Sequence, residues 1–131
     1  MSFLINEIAD YLVTQGVGTA VGTNIFVDAL PTGESFADNV VAIFQYSATP
    51  LLDGTTDQNF SFQFQVRDVS RDDAYGKALK IHSLLSGEGI DFPDRRVVFR
   101  KSALPSFVAP DASNRFQCVL SLRAVATVDT I

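Results

Sequence analysis

Tryptophan is absent from the sequence, and cysteine and histidine occur once each. A single Cys118 excludes a disulfide framework within one chain. Its place in an apolar strand pattern reads as a buried, inert thiol. His82 alone offers no cluster for a metal. It also has no orienting acid at helical spacing, because positions 78 and 86 are Ala and Ser. Nucleophilic triads need a base held beside a nucleophile, and the sequence does not assemble one. No apolar run approaches the ~18 residues that a membrane helix requires. The opening MSFLINEIADYLV lacks a basic region and a small-residue cleavage site, so a product made in the cytoplasm and without a membrane partner is expected.

Positive charge is missing from the whole of residues 1–66, which carry seven acids: Glu7, Asp10, Asp28, Glu34, Asp38, Asp53 and Asp57. All ten Lys and Arg lie in residues 67–131, against eight acids. The net charge of -5 argues against a protein whose main work is gripping nucleic acid phosphates. The split itself suggests an acidic face that meets a more basic face of an identical neighbour, a head-to-tail contact of the kind that closes rings.

What is present is apolar bulk. The 131 residues are 47% hydrophobic with eleven Phe, enough for one compact domain spanning 1–131. Leu4, Ile5, Ile8, Ala9 and Leu12 recur at helical spacing, predicting a helix over 2–15 with Ser2 as its cap and Gly16 and Gly18 as its stop. Short strands follow at 24–28 (NIFVD) and 40–47 (VVAIFQYS), the second apolar enough to be buried on both faces. In QNFSFQFQVR, Phe60, Phe62 and Phe64 alternate with Ser61, Gln63 and Gln65, which predicts a strand with a packed face and a polar outward face ending in Arg67. Ser70 caps a second helix to about Leu85, with Ala74, Ala78, Ile81 and Leu85 as its buried stripe. Strands at 96–101 and 115–127 complete the order, separated by a loop over 103–114; a further polar loop spans 49–57. Two amphipathic helices on one face of a mainly antiparallel β-sheet give an α+β two-layer fold.

Chemistry is sparse. GVGTAVGTN follows a helix rather than a strand, so it reads as a connecting turn and not as a phosphate loop. Asp72 and Asp73 suit a helix N-terminus, and IDFPDRR suits a turn with a nearby salt bridge. RVVFRK and RFQCVLSLR interleave basic and aromatic residues as single-strand binders do, yet Phe99 and Phe116 fall on the core side. Catalytic, cofactor-binding and metal-binding residues are accordingly assigned to none, and no enzyme is expected.

Taken in order, several segments resemble the tail terminator and minor capsid (head-tail joining) proteins of long-tailed bacteriophages. They are IADYLVTQGVGTAVGTNIF, VDALPTGES, VVAIFQYS, the QVR element at 65–67, DDAYGKALKIHSLL and APDASNRFQCVLSLRA. The resemblance implies a virion structural protein that forms a homo-oligomeric ring, usually of six copies. Such a ring caps the tail tube protein, meets the head-tail connector or head completion protein, and lets DNA through only as passing cargo. It assembles in the host cytoplasm and ends in the virion. Another head-completion or minor tail component is the alternative, with a nucleic-acid-binding accessory module further off. The resemblance assigns Arg67, Asp111 and Arg115 to subunit or ring contacts, and the polar strand face adds Gln63 and Gln65. The segments 48–57 and 103–114 are the expected reach toward a neighbouring ring.

Overall fold

The computed structural model describes residues 3–18, 21–22, 24–28, 39–50, 57–85, 89–93, 95–101, 104–108 and 115–127. Helix α1 spans Leu4–Thr14 and buries Leu4, Ile5, Ile8, Ala9 and Leu12, the stripe that its sequence spacing predicts. Its N-cap is Phe3, which contributes no side-chain cap; Ser2, the expected cap, lies outside the described residues. The helix ends in a Schellman motif. Val17 N–H donates to Leu12 C=O at 2.9 Å and Gly16 N–H to Val13 C=O at 3.0 Å. Gly16 reaches the left-handed φ of 79° that this closure needs. The glycine segment therefore serves the helix end, as its position after a helix implies.

Strand β1 (Ile25–Val27) runs parallel to β2 (Val40–Pro50), and β2 is antiparallel to β3 (Asp57–Asp68). Helix α2 (Arg71–Leu84) follows, then β4 (Ile90–Asp91), β5 (Arg96–Lys101), β6 (Ser106–Val108) and β7 (Phe116–Thr127). The seven-stranded sheet has the order β1-β2-β3-β7-β5-β4, with β6 also paired to β7. The expected loop over 103–114 is thus interrupted by a strand: Ser106–Val108 pairs with Val119, Cys118 and Gln117. Three residues between Pro105 and Pro110 are too few to show a period, which is why composition reads them as loop. Strand β2 also extends three residues past Ser47; Val40–Ile43 are buried, Phe44 and Gln45 are partly exposed and Tyr46 is exposed.

Ser70 caps α2, its hydroxyl accepting from Asp73 N–H at 3.3 Å. The predicted stripe is present in full: Ala74, Ala78, Ile81 and Leu85 are each inaccessible. Both helices cover one face of the sheet, and a single apolar cluster joins them to Phe60, Phe62, Phe64, Val66, Phe99, Leu120 and Leu122. Cys118 lies in that cluster, paired in register with Val66 and Phe107. Burial pushes its thiol pKa up, and the Arg71 charge offsets this only in part. A thiol that is both inaccessible and protonated reacts slowly. Maleimide labelling of the native protein is therefore expected to stall and to become rapid and complete in denaturant. Fast labelling of the native fold would refute this placement.

Candidate functional site

The sheet face turned away from the helices changes character along its length. At one end, Val40 of β2, Arg67 of β3 and Gln117 of β7 form one row. Here Val40, Ala42 and Arg67 are completely inaccessible, and Arg115, just ahead of β7, is 1% exposed. Arg67 does occupy the register position that alternation assigns it, on the side of Ser61, Gln63 and Gln65. Its side chain, however, is enclosed within the protomer, which corrects the expectation of an outward guanidinium. Arg115 is likewise enclosed. Alternation equates the second face with solvent only while that face is uncovered, and at this end of the sheet it is covered. Asp111 lies outside the described residues.

The middle of the face is polar and partly open. Tyr46 is 64% exposed at a register shift between Gln45 and Ser47, a bulge that turns its ring onto this side. Its hydroxyl donates to Gln63 Oε1 at 2.8 Å, and Gln65 Nε2 donates to the same oxygen at 2.9 Å. Gln63 and Gln65, both named from the sequence, are therefore brought together, and Tyr46 joins them. Sequence reasoning missed the tyrosine because a bulge is invisible in a run of apolar residues. Uncharged amides and a phenol can exchange hydrogen bonds across a contact at low desolvation cost.

Beyond this lies the row Ser47–Ser61–Arg123–Arg100 across β2, β3, β7 and β5. Arg100 and Arg123 are both exposed and directly opposite in register. Tyr46, Ser61, Phe62, Ser121, Leu122 and Arg123 line a shallow depression of about 240 Å³ at this point. Sequence alternation puts each arginine opposite its strand's core residues, but only the β5–β7 register brings the two side by side.

The helix side carries both signs, with Arg71, Asp72, Asp73 and Lys80 of α2 exposed. Asp10 of α1 lines a groove of about 270 Å³ with Glu7, Tyr11, Thr14, Gln15, Asp91, Phe92 and Pro93. The turn expected at 90–96 is formed by reciprocal backbone bonds between Phe92 and Arg95. It carries an exposed Arg96–Asp91 ion pair at 2.7 Å and a buried Arg95–Glu7 pair at 2.9 Å. Among the described residues no group of three or more His, Cys, Asp or Glu is placed to hold a metal ion, and no helix is long and apolar enough to cross a membrane.

A solved chain from the virion of a native gene transfer agent particle has this fold. It superposes with a TM-score of 0.59 at 19% identity, covering 97% of this chain and all of its own length, 100%. A second solved structure gives a TM-score of 0.58 at 13% identity over 96% of this chain and 92% of that one. No curated protein matches the sequence. The family model described as bacteriophage tail terminator protein matches residues 11–128, which takes in every strand and α2. The chain belongs to the bacteriophage tail terminator family, and it is a structural protein of a phage particle.

Proposed function

We propose that this protein forms a homo-oligomeric ring, of six copies, that caps the phage tail tube and joins it to the head without catalysing a reaction. The family match over residues 11–128 carries this reading. The relative from a gene transfer agent virion, which matches end to end, supports it. Further support comes from two unlike surfaces of the protomer, a sheet face that presents Arg100 and Arg123 and a helix α1 that carries acids and no base. Unlike surfaces pair heterologously, and heterologous contacts generate rings when the rotation between copies closes. On this reading the partners are further copies of the chain, the tail tube protein and a head-tail connector or head completion protein. DNA passes through the central hole as cargo, and assembly takes place in the host cytoplasm.

Gln63 and Gln65 would face a neighbour directly. Arg67 and Arg115, being enclosed, would act by holding the backbone that presents the contact, and Asp111 would act from the segment before β7. Size-exclusion chromatography with light scattering should give a hexamer mass, and negative-stain images should show rings with a central hole. A monomer at every concentration, with and without purified tail tube protein, would overturn the reading.

A further inference from the structure

Arg100 and Arg123 stand directly across from each other on neighbouring strands, both exposed. Like charges in that position destabilise a sheet. Neither has an ion pair or side-chain hydrogen bond among the described residues, and no carboxylate shares their row. Arg96, on the same side of β5, already has Asp91 at 2.7 Å. The depression beside Arg123 adds the hydroxyl-bearing Ser61, Ser121 and Tyr46. This is an arrangement that favours a carboxylate approaching from outside, since two guanidiniums and the Ser61 and Ser121 hydroxyls can donate to it.

We infer that the Arg100–Arg123 pair docks helix α1 of a second copy, which carries acids and no base, with Asp10 of that copy as the carboxylate that enters between them. The inference rests on the ring reading and assigns it a contact. Charge complementarity selects the occupant. The first half of the chain holds seven acids and no base, so any surface it presents is negative or neutral. Asp10 is exposed on α1 at the rim of the groove that Asp91 also lines. Nucleic acid is the poorer occupant, because a net charge of -5 repels phosphates at a distance. The donor surface and the acceptor surface are different parts of the protomer, on β5 and β7 and on α1, so the contact is head-to-tail and leaves one of each free for the next copy.

The test compares four preparations by light scattering across a range of protein concentration and salt. They are the wild type, Arg100→Glu/Arg123→Glu, Asp10→Lys, and an equal mixture of the two variants. All substituted side chains are exposed, and circular dichroism and thermal melts should be unchanged. The expected result is that each variant alone dissociates at a concentration at least about tenfold higher than the wild type. The mixture should regain assembly, because each variant's altered surface matches the other's. High salt should loosen the wild-type oligomer, and Arg123→Gln should show the same weakening in milder form. A wild-type ring whose midpoint the charge reversals leave unchanged overturns this contact and leaves the ring reading standing. A wild type that is monomeric throughout overturns both. Duplex or single-stranded oligonucleotide that binds the wild type but not the arginine variant, with no change in oligomer mass, overturns it in favour of nucleic acid.

Discussion

Replacing Phe64 with alanine is expected to cost about 3–5 kcal/mol of folding stability, the largest loss that any single truncation in the sheet should produce. Phe64 is inaccessible and sits in the central strand, with Ile43 of β2 on one side and Leu120 of β7 on the other. All three side chains belong to the cluster that also holds the α1 and α2 stripes. A void made there is walled by two strands whose backbone is fixed by ladders on both sides, so the site cannot collapse to fill it. Domains of this size have only about 5–15 kcal/mol to lose, and much of the variant population should be unfolded at moderate temperature. Urea titration would read the change as a lower midpoint with an unchanged slope. Gln63→Ala, one residue away, is the control. Its hydrogen bonds to Tyr46 and Gln65 are on the partly open face, and its cost should stay within about 0.5 kcal/mol. Equal losses for the two variants would mean that the strand's two faces are not packed as described.

That contrast is the part of the fold most legible in the sequence. QNFSFQFQVR shows the period of a half-buried strand in its residues alone, and Ala74, Ala78, Ile81 and Leu85 show the matching helix. Local periodicity survives into the fold because the same side chains that set the period also make the core. What the sequence hid depends on pairing between distant segments. Arg67 and Arg115 are buried because both faces of the sheet are covered at one end, and no alternation pattern reports on that. Tyr46 points outward through a bulge, and the Arg100–Arg123 opposition exists only through the β5–β7 register. Register is a long-range property, set by which strands meet. The candidate site therefore could be read as far as Gln63 and Gln65, whose face follows from their own strand. Its charged portion could not.

The second large effect concerns a charge pair rather than a void. Arg95→Met is expected to cost about 3–5 kcal/mol, whereas the double variant Glu7→Leu/Arg95→Met should be close to neutral or more stable than the wild type. Arg95 Nε lies 2.9 Å from Glu7 Oε1, with side-chain exposures of 1% and 3%. Glu7 occupies the first turn of α1 and Arg95 the turn between β4 and β5, so the pair ties the helix to the far edge of the sheet. Around it, Tyr11 and Phe92 meet edge to face at 5.4 Å, and Phe92 meets Phe99 at 6.5 Å. Removing one partner takes this ion pair from the other buried group, where little water can replace it. Removing both leaves an apolar gap that Leu and Met can fill.

A double-mutant cycle in urea should therefore give a coupling energy above about 1 kcal/mol, and simple addition of the two single losses would refute the pairing. Salt supplies an independent discriminator. Ions screen exposed charges far more than enclosed ones, so the Glu7–Arg95 coupling should hardly change with ionic strength. A contact made through Arg100 and Arg123 should weaken steadily under the same conditions. Two responses to one variable would separate the charges that hold the protomer together from those it presents to a neighbour.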